Sequence, residues 1–486
     1  MISLIRNELK KIFSKKTLYI ILFILIGISV FSNIMNKKFS NNYNSYDMYS
    51  DVQAGIYEQE LKDAKENNDI DNIAYYESYL EARKFAIKYD RNGWQRYIIE
   101  NELQPTICDM IRTKTYDRTD SYYEEKYNRI VKNLEDNNWK EFAKDELKDI
   151  DEELEALQKG NVKSDDEQVE NLKCQKQVIK WRLEKDIPYG INDLNTYLTT
   201  WASLKMELRN YQKMNDDELL YDTKVQMQRC EESIKVCEYA IENGINSNIT
   251  KADRLTYNLS TDAKSLLLNV FESYGFFIIL SVVVIAGTIV SEESNKGTIK
   301  LLLVRPYKRR KILLAKFITC LIILVISLIT VVVIQTIVGG ISFGFESYSG
   351  KTVMYNFNTN SIETISILRY LFMTALSLLP QYLLLMTLAF TISTVLTNSP
   401  MAIALPLLGI IGADIINSFL LMHYEKARFL TYFVTPNWDL SMYAFGKMPG
   451  YEGLTPIFSI IVCTVYFIGL IILSMQIFNR RDIKNV

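Results

Sequence analysis

The stretch Leu18–Met35 decides the fold; it reads LYIILFILIGISVFSNIM and carries no charged side chain. A helix of this length covers most of the ~30 Å hydrocarbon core of a bilayer. Basic residues precede the stretch, as they do in a secretory signal peptide, but it is longer than a typical signal-peptide core and lacks a small-residue cleavage site. We therefore expect a membrane anchor.

Five further apolar runs of spanning length follow, so the sequence predicts an all-α membrane protein with six transmembrane helices and a large helical, coiled-coil-like extracellular domain. The predicted parts are an interfacial helix over 1–17, spans over 18–36, 266–290, 312–338, 367–396, 401–422 and 456–478, the extracellular domain over 37–265, a cytoplasmic loop over 291–311, outer segments over 339–366 and 423–455, and a tail over 479–486.

Basic residues predict the orientation. Lys and Arg concentrate before the first span, between the second and third spans, and after the last span. Short loops rich in Lys and Arg stay on the cytoplasmic side. An even number of crossings places all three clusters on that side, so we expect both termini in the cytoplasm of a bacterial cell and residues 37–265 outside.

The first residues read as an amphipathic helix. Apolar side chains recur at helical spacing against a basic face, as in helices that lie in the headgroup plane; they are Ile2, Leu4, Ile5, Leu9, Ile12 and Phe13, against Arg6, Lys10 and Lys16. A purely targeting role is the alternative.

The predicted extracellular domain is acidic and rich in tyrosine. Residues 37–265 hold 34 basic and 46 acidic residues, a net charge of −12, whereas the rest of the chain carries +10. Few glycines and prolines interrupt its helical periodicity, so we expect an all-helical domain with its own core. The tyrosines are interpreted either as helix packing or as a surface for a peptide or lipid. The negative charge is either a solvated face or an attraction for cationic partners.

Several classes of chemistry are excluded. His423 is the only histidine, which removes histidine triads and histidine-rich metal sites. No P-loop motif and no C-x-x-C pair occurs. Cys230 and Cys237 are too far apart to bond within one straight helix, so each needs another partner or stays free. We expect no enzyme activity, no metal, no cofactor bound by this chain and no nucleic-acid partner.

The most specific stretch is Ser291–Arg310, SEESNKGTIKLLLVRPYKRR, between the second and third predicted spans. It is a short amphipathic element with acids at its start and a proline near its end. Such an element can dock on a soluble subunit and transmit motion to both spans. The alternative is a plain loop whose charges only fix topology.

This stretch resembles the type 2 ABC exporter permeases, in which an E-x-x-x-G-T-[IL]-x-x-L-L-x-x-[RP]-P-x-[RK]-R-like segment follows the second span. The residues that carry this likeness are Glu293, Gly297, Thr298, Ile299, Leu302, Arg305, Pro306 and Arg309, with Arg305 and Pro306 one position earlier than in the pattern. The amphipathic N-terminal helix, the six spans and the cytoplasmic termini also fit this likeness. The large insertion over 37–265 departs from it and resembles the subset that handles peptides, toxins or envelope compounds.

The resemblance implies that residues 291–311 contain a coupling helix that inserts into a separate ATPase subunit, which binds ATP and Mg. It also implies a homodimer or heterodimer of permeases that exports a peptide, toxin, drug or envelope compound, with short external or re-entrant helices over 423–448. The implied docking residues are Glu292, Glu293, Gly297, Thr298, Ile299, Lys300, Leu302, Arg305, Pro306 and Arg309.

Polar side chains within the predicted spans are candidates for the transport path. Asp414 and Asn417 lie in the fifth span and Glu272 in the outer part of the second. A carboxylate in hydrocarbon costs at least ~2.5 kcal/mol, so each should face a partner, a cavity or a subunit interface. Arg369, near the outer end of the fourth span, is a possible partner for either carboxylate; a structural pair is the alternative.

Two other functions remain open from the sequence. The chain could sense or resist an antimicrobial peptide within an ABC complex, with the extracellular helices as the capturing part. It could also be a membrane-anchored scaffold without any ATPase partner.

Overall fold

A computed structural model describes residues 1–43, 47–115, 121–158, 166–214, 220–252, 254–255, 259–295, 308–349, 352–396, 398–422 and 428–480. These residues are almost entirely helical and form two compact units. The membrane unit comprises Met1–Lys37, Leu219–Gln228 and Thr261–Val486, and the helical unit comprises Lys38–Glu218 and Arg229–Ser260.

The membrane unit contains six helices that are long and apolar enough to cross a membrane, which confirms the predicted fold class. Its helices are α1 (Ile2–Phe13), α2 (Lys16–Tyr43), α12 (Ala263–Leu268), α13 (Val270–Thr288), α14 (Ser291–Asn295), α15 (Arg309–Phe343), α16 (Ile367–Val395), α17 (Ser399–Met422) and α18 (Pro456–Arg480). The last residues of α2, from Lys38 on, belong to the helical unit. The six spanning stretches are Lys16–Lys38, Val270–Asn295, Arg309–Phe343, Ile367–Val395, Ser399–Leu420 and Pro456–Arg480.

The helical unit is built from helices that pack on their neighbours in sequence. They are α3 (Asp51–Glu66), α4 (Ile70–Ala86), α5 (Trp94–Ile98), α6 (Gln104–Thr115), α7 (Ser121–Glu135), α8 (Trp139–Gln158), α9 (Asp166–Lys185), α10 (Asp193–Gln212) and α11 (Tyr221–Glu242), whose first residues, up to Gln228, belong to the membrane unit. A single π-helical turn, Ile99–Leu103, lies between α5 and α6.

Local sequence explains where these helices begin and end. Ser50 and Asp69 accept hydrogen bonds from backbone N–H groups in the first turns of α3 and α4, as N-cap residues do. Asn68, Asn137 and Asp186 adopt left-handed backbone conformations just after α3, α7 and α9. Asn and Asp tolerate this conformation better than most residues, so they stop each helix and turn the chain toward the next one.

Tyrosines and cysteines of the helical unit are mainly structural. Tyr49, Tyr79 and Tyr197 are fully buried, and Tyr57 packs edge-on against Tyr79 with ring centroids 4.5 Å apart. This favours the packing interpretation for these rings.

The cysteines of both units are free thiols; they are Cys108, Cys174, Cys230, Cys237, Cys320 and Cys463.

One feature was absent from the sequence prediction. The outer segment 339–366 contains an antiparallel hairpin of β1 (Thr352–Asn356) and β2 (Ser361–Ile365), with Thr352 opposite Ile365 and Asn356 opposite Ser361. Asn360 adopts a positive φ in the turn. In the predicted segment 423–455, two short 3₁₀ helices occupy Arg428–Tyr432 and Ser441–Gly446, while His423 lies outside the described residues.

Helix α13 is the most buried of the six spans and packs against α15, α16 and α17. Gly287 allows its close approach to α17: a Cβ atom at this position would lie 3.0 Å from both the Ala402 carbonyl oxygen and Ile403 Cγ1. Small residues at helix crossings let backbones approach in membranes. The α13–α17 contact therefore depends on the missing side chain.

We expect Gly287→Val to destabilise the membrane unit by about 1–3 kcal/mol, because the added methyl groups overpack this crossing. The measurement is thermal unfolding of the purified chain in detergent. Gly469→Val in α18 is the matched control, since a Cβ there meets no atom within 4 Å. Equal melting temperatures for the two variants would contradict the argument.

Candidate functional site

Helix α1 is amphipathic and packs against α15. Leu4 and Ile12 are buried, whereas Ile2 on the opposite side is largely exposed. Between the two buried apolar residues stands Glu8, which is only 7 % exposed. Placing an acid on the buried face of a helix is costly unless the carboxylate meets cations or donors.

Lys316 in α15 supplies such a cation. Its side chain is almost fully buried, and Nζ lies 3.1 Å from Glu8 Oε2 and 2.8 Å from Glu293 Oε2. The same ammonium group donates to the Ile289 carbonyl oxygen at 3.0 Å. Three acceptors thus satisfy the three donors of this lysine, which is the condition for keeping a charge inside a protein.

Two lysines of the N-terminal segment complete the cluster. Lys11 Nζ lies 2.7 Å from Glu293 Oε1 and 3.3 Å from Glu8 Oε1. Lys15 forms an ion pair with Glu292 and donates to Thr288 Oγ1 at 3.2 Å. We call Glu8, Lys11, Lys15, Glu292, Glu293 and Lys316 the junction network.

The junction network is electrically balanced, since three carboxylates face three ammonium groups. Burial lowers the pKa of Lys11, but the hydrogen bond with Glu293 and the charges of Glu293 and Glu8 outweigh this effect and raise the pKa. Lys11 therefore stays charged at neutral pH and holds α1 against the end of the second span.

The network connects three elements that meet at one end of the bundle. It joins α1 to α14, which continues the second span, and to the first turns of α15, which is the third span. The segment 296–307, outside the described residues, links α14 to α15 in the sequence. A displacement of either end of that segment would therefore also displace α1.

The predicted docking residues divide into two sets. Glu292 and Glu293 belong to the junction network, and Arg309 donates from Nη1 to the Asn479 carbonyl oxygen at the end of α18, at 3.1 Å. These three residues make contacts within the membrane unit. The remaining predicted docking residues lie outside the described residues: Gly297, Thr298, Ile299, Lys300, Leu302, Arg305 and Pro306.

Sequence reasoning missed four members of the network, Glu8, Lys11, Lys15 and Lys316. Lys11, Lys15 and Lys316 were interpreted only as charges that fix topology. A signal was present for Glu8, because it is the single acid among five basic residues before the first span. Glu8 also stands midway between Leu4 and Ile12 at helical spacing, so the periodicity that predicts the helix places this acid on its apolar face.

The transport-path candidates do not pair as considered. Asp414 is exposed on α17 and Arg369 is exposed in the first turn of α16, and among the described residues no ion pair joins Arg369 to Asp414 or to Glu272. Asn417 Oδ1 is buried without a hydrogen-bond partner in the described part of the chain. Glu272 is exposed in the first turn of α13. The suggested partnership with Arg369 is therefore absent.

No group of three or more potential metal ligands from His, Cys, Asp and Glu occurs among the described residues. Further polar contacts instead join the spans: Gln335 in α15 accepts from Ser29 at 3.1 Å and from Asn33 at 3.2 Å, both on α2. Interhelical hydrogen bonds of this kind hold membrane helices in register.

Comparison with known proteins places the chain among bacterial relatives. Residues 247–484 match the family model described as protein of unknown function (DUF2705). The uncharacterized protein YhcI of Bacillus subtilis is 30% identical over 250 residues, which is 51% of this chain and 79% of YhcI. The uncharacterized membrane protein YdbK of the same organism is 28% identical over 203 residues, 42% of this chain and 76% of YdbK. No solved structure matches the chain significantly. On the identity to YhcI and the extent of YhcI that it covers, the chain belongs to the YhcI family.

Proposed function

We propose that this chain is the membrane-spanning permease subunit of an ATP-driven exporter of the type 2 ABC kind, working with a separate ATPase subunit. The segment 296–307 is the docking element in this proposal, and both termini face the cytoplasm of a bacterial cell. The chain itself catalyses no covalent step. Its cargo is a peptide, toxin, drug or envelope compound.

The observation that carries the proposal is the junction network at the two ends of the docking segment. Glu293 on one end and Lys316 beyond the other are joined at 2.8 Å, and both contact α1. A push by a soluble subunit on residues 296–307 would act on α13, α15 and α1 as one body. Rigid transmission of this kind is what a permease needs to couple ATP hydrolysis to movement of its spans.

Sequence features support the same function. Residues 297–306 resemble the docking stretch of the exporter permeases. Lys and Arg are concentrated before the first span, between the second and third spans and after the last span, as expected of a cytoplasmic face. The absence of a P-loop in the sequence assigns ATP binding to another chain. That partner would bring ATP and Mg.

The membrane unit also supports an assembly of two permeases. In one isolated copy of the chain, Asp414 is exposed on the surface of α17 and has no ion-pair partner among the described residues. A carboxylate facing lipid costs at least ~2.5 kcal/mol. In a homodimer or heterodimer, a second permease or a polar path between the two would cover this side chain.

The test is recovery of the ATPase. Full-length chain with a C-terminal tag is isolated from membranes of its own cells in mild detergent, and its partners are identified by mass spectrometry. We expect a P-loop ATPase in about equal amount. Arg305→Glu and Leu302→Asp should each reduce this recovery about tenfold or more, because they place an acid in a basic and apolar docking surface.

Lys351→Glu is the matched control, since it makes the same charge change in the segment between α15 and β1 and should leave recovery unchanged. Thermal unfolding of each variant in detergent confirms that the membrane unit is intact. An ATPase that is missing from the unaltered chain, or one that is recovered equally with all variants, would sink the assignment.

A further inference from the structure

The helical unit contains a cleft that the exporter proposal does not use. One half is bounded by α7, α8 and α9, with a volume of about 430 Å³, and the other by α5, α8, α9 and α10, with a volume of about 460 Å³. The halves adjoin, because Glu102, Phe142, Glu146 and Gln175 line both. Each is within the size range of ligand pockets.

Carboxylates outnumber cations on the walls of the cleft. Among the described residues, six carboxylates and three cationic side chains line the two halves. Two of the cations are already paired: Lys126 Nζ lies 2.9 Å from Glu102 Oε2, and Arg129 forms a bidentate pair with Asp149 at 2.9 Å. The third, Arg182, donates to Asn195 and to the Pro188 carbonyl oxygen.

Asp145 and Glu146 line the cleft and form no ion pair with any of the described residues. Asp145 accepts a hydrogen bond from Asn133 Nδ2 at 2.9 Å, and Glu146 accepts one from the Tyr189 hydroxyl at 2.5 Å. Burial raises the pKa of the Glu146 carboxyl, and the charge of Glu102 adds to this shift. The hydrogen bond from Tyr189 and the charges of Arg182 and Lys126 oppose the shift without cancelling it. A cation placed beside Glu146 would relieve both unfavourable effects.

Tyr189, which donates to Glu146, belongs to a cluster of aromatic rings. The Tyr189 ring lies 5.4 Å from the Phe142 ring and 5.9 Å from the Tyr97 ring. Arg182 already stacks on Tyr189, with Cζ 4.1 Å from the ring centroid. The cleft thus shows, in its own contacts, the combination of ring face and acid that binds ammonium and guanidinium groups.

Apolar and polar side chains share the rest of the wall. Ile130 and Leu172 line the first half, and Ile179 and Met206 line the second. The π-helical turn Ile99–Leu103 brings Glu102 to the boundary between the halves. Single π turns inside helices occur frequently at functional sites, because they cost stability that a purely structural helix would not give up.

We propose that this cleft binds a basic peptide with aromatic or aliphatic side chains, placing its Lys or Arg groups at Asp145 and Glu146 and its apolar groups along Phe142, Ile179 and Met206. An inorganic cation does not match the size of the cleft or its apolar side chains, and an acidic ligand would meet repulsion. The inference does not rest on the exporter function, since peptide binding by the helical unit requires no ATPase.

The test uses the full-length chain in nanodiscs of phosphatidylcholine, a lipid without net charge. The probe is a fluorescent hexapeptide of alternating lysine and phenylalanine, and the comparison probe alternates glutamate and phenylalanine. We expect the lysine peptide to bind at least tenfold more tightly than the glutamate peptide, by fluorescence anisotropy. The preference should shrink with added salt.

Charge-removing variants locate the site. Glu146→Gln and Asp145→Asn should each weaken binding of the lysine peptide about tenfold, since each removes a charge-assisted contact without changing shape. Glu58→Gln, on an exposed position of α3 outside the cleft, is the matched control and should bind normally. If Glu146→Gln loses helical circular dichroism, Asp145→Asn decides.

Three results would overturn the proposal. The first is unchanged affinity in both cleft variants, and the second is an equal loss in Glu58→Gln, which would reduce the effect to net charge. The third is equal binding to nanodiscs without protein. None of these concerns recovery of an ATPase, so the two proposals fail separately.

Discussion

Lys316→Leu should be the most damaging single substitution in the membrane unit. It leaves Glu8 and Glu293 facing an apolar side chain, with Lys11 as their only remaining cation in the junction network. Removing one partner of a buried ion pair typically costs about 3–5 kcal/mol. At about 2–4 °C per kcal/mol, we expect the melting temperature of the membrane unit in detergent to fall by roughly 10 °C.

Two further variants separate charge imbalance from lost packing. Lys311→Leu removes an exposed lysine five residues earlier in α15 and should leave the melting temperature within about 2 °C. Glu8→Leu combined with Lys316→Leu restores equal numbers of acids and bases, so it should recover part of the loss. A Lys316→Leu protein that melts like the unaltered chain would refute the energetic role of the network.

The network also changes how the docking segment should be tested. Glu293 matches the exporter pattern in the sequence, which suggests a contact with the ATPase. In the structure, Glu293 also pairs with Lys11 and Lys316. A loss of ATPase recovery in Glu293→Ala would therefore report on the position of the docking segment, whereas Arg305→Glu and Leu302→Asp change the segment itself.

The spans could be predicted from the sequence because length and apolarity are properties of a continuous stretch. Leu18–Met35 lies within the spanning helix Lys16–Lys38, and the other five spans agree to within a few residues. Membrane spanning requires only that each helix satisfy its own backbone, so no knowledge of neighbours is needed.

The junction network could not be predicted in the same way, because its members are distant in sequence. Glu8 and Lys316 are separated by 308 positions and meet only through helix packing. A lysine just inside a span has two ordinary explanations, topology and snorkelling, and only the fold distinguishes them from pairing. The exclusion of Arg369 as a partner for Asp414 likewise required coordinates.

In the helical unit, too, some features can be predicted from the sequence and others cannot. Its all-helical character follows from periodicity and from few glycines and prolines, and its boundaries follow from caps such as Ser50 and Asp69. The cleft could not be predicted from these features, because Glu146 and Arg182 lie on different helices and both contact Tyr189 between them. High tyrosine content was a signal, but it did not indicate which rings pack and which line a surface.

Arg96→Leu should unfold the helical unit selectively. Arg96 is 3% exposed, pairs with Asp47, and lies 3.1 Å from Glu100 Oε1. It donates to the Ala86 carbonyl oxygen at 2.8 Å, and its guanidinium lies 4.6 Å from the centre of the Tyr49 ring. Leucine can replace only the packing, so Glu100 and the Ala86 carbonyl oxygen would lose this donor, and Asp47 would keep only the Tyr49 backbone N–H and the longer ion pair with Arg91.

We expect a cost of about 3–5 kcal/mol, which is typical when one partner of a buried ion pair is removed. The two compact units should melt separately, so calorimetry in detergent should show one transition moving down while the other stays in place. Lys84→Leu, on an exposed position of α4 whose ion pair with Glu81 is at the surface, should shift neither transition. If Arg96→Leu lowered both transitions equally, the two units would be energetically coupled. If it moved neither transition, packing alone would replace the arginine, as in proteins where a buried ion pair contributes specificity but little stability.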